Sequence, residues 1–155
     1  MSLPPTIVTC IARVNPLETT VVLIIEDEAI IRIATAALLK DAGYTVLEAR
    51  DADVAVQILE SRNDIRAVFT DIRMPGSFDG LRLAHAIRHR WPPIHLIVTS
   101  GLNAPTEEEF PRYARFLRKP YAPKEVLKAF ADLFSPNPSP YRYSDNVVQN
   151  YGKVA

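Results

Sequence analysis

Val21-Val22-Leu23-Ile24-Ile25 is an unbroken apolar run that ends at once in Glu26-Asp27-Glu28. A short aliphatic run with no polar alternation fits a strand covered on both faces, as happens in a parallel sheet sandwiched between helices. Three carboxylates directly after it place negative charge at the carboxyl edge of that sheet. Few architectures satisfy both demands at once.

The residues that follow repeat the theme. Ile30, Ile33, Ala34, Ala37 and Leu38 share one helical face, and Gly43 then stops the helix. Residues 44–49 form a second strand, and Asp51 is suited to cap a helix that buries Ala52, Ala55, Val56 and Leu59. Residues 67–70 form the third strand, and Leu83, Ala84 and Ile87 mark a helix that stops before Pro92-Pro93. Residues 94–99 form the fourth strand and 115–117 a short fifth. Pro123 opens a last helix that turns Val126, Leu127, Phe130, Leu133 and Phe134 inward. Five strand–helix units predict an α/β fold with a five-stranded parallel sheet and helices on both faces. The fourth helix, between the fourth and fifth strands, is expected to be short or irregular. Pro111 interrupts it, although Thr106 and Glu109 have the spacing of a capping box.

Composition excludes several classes. The chain has 155 residues, 48% hydrophobic and 23% charged, which is ordinary for a soluble globular protein. Lys and Arg number 18, as do Asp and Glu, so the whole chain lacks the cationic footprint of a nucleic-acid or membrane-surface binder. Its one cysteine, Cys10, allows no intramolecular disulfide and no cysteine-rich zinc site, and reads as an inert thiol. The apolar runs fall far short of the roughly 20 residues that span a bilayer. No basic segment precedes an apolar stretch at the start, so a cytoplasmic location is expected. Residues 1–19 read as an N-terminal extension, in which 6–14 have the composition of a short strand. Residues 135–155 read as an extended polar tail.

In an open parallel sheet, ligands bind beyond the carboxyl ends of the strands. Those ends carry Glu26-Asp27-Glu28, Thr70-Asp71, Thr99-Ser100-Gly101 and Arg118-Lys119-Pro120. Clustered carboxylates suit Mg²⁺, a hard cation that prefers oxygen. A carboxylate can also attack phosphorus to give an aspartyl-phosphate. That transfer needs positioning and neutralisation of the phosphoryl oxygens, which a metal ion, a lysine and a hydroxyl can provide. His85 and His89, four apart, share a polar helix face with Arg82 and are read as a solvated basic face. Neither a phosphate-binding P-loop nor a dinucleotide fingerprint is present.

With these pieces in order, the sequence resembles the receiver domain of bacterial two-component response regulators, the CheY-like family. The resemblance rests on VLIIEDE at 22–28, FTDIRMPG at 69–76 with Asp79-Gly80, Thr99-Ser100-Gly101 and Lys119-Pro120-Tyr121, and covers residues 20–134. It implies a flavodoxin-like sheet of order 2-1-3-4-5. It implies Asp71 as phosphoacceptor, with Mg²⁺ held by Asp27, Asp71, Glu26 acting mainly through water, and the backbone carbonyl of Arg73. Lys119 would pair with the phosphoryl group. Ser100 or Thr99 would be the switch hydroxyl, and Phe116 the switch aromatic. Three departures stand out: one extra residue in the loop 76–80, Phe rather than Tyr at 116, and the interrupted fourth helix.

The implied function is that of a single-domain receiver, not a conventional enzyme. It would accept a phosphoryl group from a sensor histidine kinase or a histidine phosphotransfer protein and signal through a downstream protein. A homodimer is compatible with this, and neither DNA binding in cis nor membrane contact is expected. The alternative is a pseudo-receiver, the same fold used as a phosphorylation-independent binding module.

Overall fold

A computed structural model describes residues 20–74, 79–101 and 104–136. The expectations for the N-terminal extension, for Cys10 and for most of the tail lie outside these residues. The order of elements is β1 (Val21–Ile25), α1 (Ala29–Asp41), β2 (Thr45–Ala49), α2 (Ala52–Ser61), β3 (Ile65–Asp71), α3 (Gly80–Arg90), β4 (His95–Ser100), β5 (Ala114–Arg118) and α4 (Pro123–Leu133). The strands pair in parallel in the order β2-β1-β3-β4-β5.

All five β1 residues are buried, as their unbroken apolar run requires. Alternation along the central strands divides the core in two. Leu23, Ile25, Val68, Leu96, Val98 and Phe116 face α2 and α3, while Val22, Ile24, Phe69, Ile97 and Leu117 face α1 and α4. Chain punctuation follows the sequence signals. Gly43 adopts φ 98° after α1 and donates its N–H to the Lys40 carbonyl, a turn that favours glycine. Asp51 accepts the Val54 N–H at 2.8 Å, and Asp79 caps α3 in the same way through the Arg82 N–H at 2.9 Å.

Two expectations need correction or refinement. The stripe assigned to the inner face of α1 points outward: Ile30 is 84% and Ile33 60% exposed, and Ala34 and Ala37 are exposed with them. Only Leu38 of that set is half-buried. The inner face is Thr35, Ala36 and Leu39, flanked by Ile31 and Arg32. The helix is apolar on more than one side, and polar contacts decide its roll. Arg32 donates to the Glu26 carbonyl at 2.8 Å and lies 3.7 Å from the Glu48 carboxylate, which turns its side of the helix toward the sheet.

Between β4 and β5 the described residues hold turns and no helix. The Thr106–Glu109 cap does form. Glu109 Oε2 accepts the Thr106 N–H and hydroxyl at 2.9 and 3.1 Å. Pro111 then interrupts, and Phe110 enters the core edge-on to Phe116, their ring centroids 6.0 Å apart.

The roll of α1 is directly testable. Ile33→Lys should change unfolding free energy by no more than about 0.5 kcal/mol. Leu39→Ala, on the inner face, should cost about 2–5 kcal/mol in urea denaturation. Equal costs would restore the roll expected from the apolar stripe.

Candidate functional site

The carboxyl edge of the sheet gathers four of the expected side chains. Glu26 follows β1 and is buried, Asp71 ends β3 and is nearly so, Asp27 stands exposed beside them, and Lys119 follows β5. The Lys119 Nζ lies 2.8 Å from Asp71 Oδ2 and 2.9 Å from Glu26 Oε2. The remaining carboxylate oxygens are engaged locally. Glu26 Oε1 accepts the Glu28 N–H at 3.1 Å, and Asp71 Oδ1 accepts the Arg73 N–H at 3.2 Å. The Lys119–Pro120 peptide is cis.

Burial pushes the Glu26 carboxyl above its ordinary range, and the hydrogen bonds from Lys119 and the Glu28 N–H, with the lysine charge, oppose that rise. For Lys119, burial works toward a lower value. The hydrogen bonds to Asp71 and Glu26 and their charges more than overcome it, so the ammonium is held well above the ordinary lysine value. The cluster therefore carries one firmly held cation against three carboxylates. Oxygen atoms of Glu26, Asp27 and Asp71 lie within 4.8 Å of one another, a hard-donor set that fits Mg²⁺.

Backbone contacts hold this edge together. The Ile72 N–H donates to the Thr99 carbonyl, and the Lys119 N–H to the Ser100 carbonyl at 2.8 Å. Gly80, which sequence reasoning treated only as part of a motif, starts α3 against the backbone of β3. A Cβ there would overlap the Asp71 carbonyl. Its N–H donates to the Ile72 carbonyl at 2.9 Å, which fixes the return of the chain to α3. Arg32 was also missed, because its role is a contact to a main-chain carbonyl six residues away.

Both candidate switch hydroxyls are buried on β4, on opposite faces. Thr99 is level with Asp71 and Leu117 in register, on the α1/α4 side, and its Oγ1 has no hydrogen-bond partner among the described residues. Ser100 is level with Arg118, on the side of Val98 and Phe116. Phe116 itself is buried in the core. The two histidines do not join the site; His85 Nε2 instead lies 2.7 Å from the Glu109 carbonyl oxygen.

A profile of the response regulator receiver domain matches residues 22–131. The chain belongs to the response regulator receiver family. It is 32% identical over 120 residues to the sensor kinase CckA of Brucella abortus, a match that covers 72% of this chain and 12% of that protein. It is 30% identical over 128 residues to the aerobic respiration control protein ArcA of Escherichia coli, covering 77% of this chain and 50% of ArcA. The chain thus spans half or less of these relatives. Among solved structures, a response regulator receiver protein from Sinorhizobium medicae superimposes with a TM-score of 0.70 at 29% identity, covering 76% of this chain and 95% of that one. No helix among the described residues is long and apolar enough to cross a membrane.

The electrostatics of the cluster predict its response to losing its cation. Lys119→Met leaves buried carboxylates unpaired and should cost about 3 kcal/mol at pH 8. The Glu26 carboxyl rises further without the ammonium, so the folded variant takes up its proton before the unfolded chain does. Stability of the variant then increases as pH falls toward the ordinary carboxyl value. Urea titrations should show the gap to wild type narrowing between pH 8 and pH 5, and narrowing at pH 8 when Mg²⁺ is added. A gap independent of both would refute this account.

Proposed function

We propose that this chain is a phosphorylation-controlled receiver whose acceptor is Asp71. The observation that carries the reading is the Lys119 ammonium shared between Asp71 and Glu26, beside a third carboxylate, at the carboxyl edge of a receiver-type sheet. The donor is a phosphohistidine on a sensor kinase or phosphotransfer protein. An Asp71 carboxylate oxygen attacks phosphorus, the O–P bond forms, and the N–P bond to the histidine breaks, with the electron pair leaving on the imidazole. Lys119 stays within reach of the transferred group and neutralises one of its oxygens. Glu26, Asp27, Asp71 and the Arg73 carbonyl are the proposed holders of Mg²⁺, which supplies further neutralisation of the phosphoryl oxygens when bound.

The donor needs a landing surface beside that edge. Ile30 and Ile33, exposed on α1 with Ala34 and Ala37, lie just beyond the Glu26-Asp27-Glu28 turn and offer an apolar stripe for a helix of the donor. Apart from accepting and losing its own phosphoryl group, the chain is a signalling module, and its output passes through a downstream protein.

For the switch hydroxyl, Thr99 is the better candidate. In-register pairing sets it beside Asp71 on the same face of the sheet, and its buried Oγ1 has no hydrogen-bond partner among the described residues. Ser100 follows it on the opposite face, level with Arg118.

Two experiments test these assignments. Acetyl phosphate with Mg²⁺ should add one phosphoryl group to the wild type and none to Asp71→Asn, read by intact-mass spectrometry, with both proteins folded by circular dichroism. Equal labelling of the two would sink the acceptor assignment, and no labelling of either would favour the pseudo-receiver. Separately, Thr99→Val should still bind beryllofluoride but lose the accompanying shifts of the Phe116 ring resonances. It should melt at the same temperature or higher, because an unpartnered buried hydroxyl is replaced by a methyl. Ser100→Ala should keep those shifts. The opposite pattern moves the switch to Ser100.

A further inference from the structure

The opposite, amino-terminal edge of the sheet carries a second surface that the phosphoryl chemistry does not use. There α2 and α3 both end, and a groove of about 600 Å³ runs between their last turns and the starts of β3 and β4. Its floor is apolar: Leu59, Ile65 and Ile94 are buried core residues, and Trp91 packs half-buried beside them. Its rim is cationic. Arg62, Arg66 and Arg90 line it from three different elements, against the carboxylates of Glu60 on the rim and Asp64 beside Arg62.

The pairing of these cations favours exchange. Arg62 forks onto Asp64 through Nε and Nη2, and Arg90 meets Glu60 at 2.7 Å while its guanidinium lies 4.3 Å above the Trp91 ring. Both ion pairs are about half exposed, so water and salt screen them and little is lost when either arginine changes partner. Arg66 is exposed and has no ion-pair partner among the described residues. With Glu60 and Asp64 counted, the rim keeps one net positive charge, that of Arg66, and two exchangeable arginines around an apolar floor. Neutralising helix ends does not account for Arg66, which stands on a strand.

We propose that this groove docks an acidic peptide segment of a partner protein, carrying one apolar side chain. Carboxylates spaced along an extended segment meet arginines spread over three elements, and the apolar side chain seats against Trp91 and Ile94. The surface lies at the far end of the sheet from Asp71, so a partner here and a phosphoryl donor at the carboxyl edge can bind together.

Trp91 is the only tryptophan, so its fluorescence reports on the groove. The full chain is titrated with a blocked peptide, acetyl-Glu-Asp-Leu-Glu-Asp-amide, and with its counterpart bearing Lys at the four acidic positions. The acidic peptide should shift Trp91 emission saturably, the lysine peptide should not, and raised salt should weaken the binding. Arg66→Glu should weaken it tenfold or more, and Arg66→Gln by less, with circular dichroism and melting temperature unchanged in both. The proposal falls if Trp91 ignores the acidic peptide, if both peptides act alike, or if Arg66→Glu leaves the titration unaltered. A Trp91 shift with anionic phospholipid vesicles and none with the peptide would likewise overturn it, in favour of a membrane-facing surface.

Discussion

The Lys119 ammonium is the tie on which the carboxyl edge of this molecule depends. It reaches from the end of β5 across β4 to Asp71 on β3 and on to Glu26 after β1, and touches both carboxylates at hydrogen-bond distance. A buried carboxylate such as Glu26 is tolerable only when paired and hydrogen-bonded. The pairing is nonetheless incomplete, since one ammonium faces three carboxylates. That residual negative charge is what makes the edge receptive to a cation. The same lysine can serve a phosphoryl group bound there, because its charge is held firmly by the neighbours it would share.

Such an arrangement requires strand ends fixed to within fractions of an ångström, and the backbone supplies that. In-register pairing sets Asp71 level with Thr99, and Ser100 level with Arg118. Gly80 lets α3 start in contact with β3, where any side chain would force the two apart. Arg32 clasps the Glu26 carbonyl from α1. The site is thus made of side chains whose main chains are tied to one another, which lowers the reorganisation that transition-state stabilisation would otherwise demand.

The sheet and the site were readable in the sequence because their signals are redundant. A continuous apolar run, a following carboxylate and a capping residue each point to the same strand end, so Glu26, Asp27, Asp71 and Lys119 could be placed at one edge before any coordinates. The roll of α1 was not readable in this way. Ile30, Ile33, Ala34 and Ala37 form as good an apolar stripe as Thr35, Ala36 and Leu39, and the deciding contacts are made by an arginine to a carbonyl and a strand carboxylate. Gly80 was visible as a residue but its reason was not, since close approach of backbones leaves no mark in hydrophobic periodicity.

Among its described residues the segment between β4 and β5 holds no helix, and that alters the mechanics. Where a full helix would lie over the sheet, the chain sends in one ring, Phe110, at right angles to Phe116. His85 of α3 meets the Glu109 carbonyl next to it, and the Thr106–Glu109 cap holds the turn. Phe116 lacks a hydroxyl, so it has no hydrogen bond to exchange between positions and responds only to volume. On the proposed reading, movement of Thr99 toward Asp71 draws the end of β4 with it, and Phe116, level with the adjoining Val98, feels this first and Phe110 next. Close-packed interiors transmit such changes because their rings have few empty places to go. What reaches the surface is then a displaced turn of roughly ten residues rather than a rotated helix, and a partner that reads it must recognise loop conformation instead of a helical face.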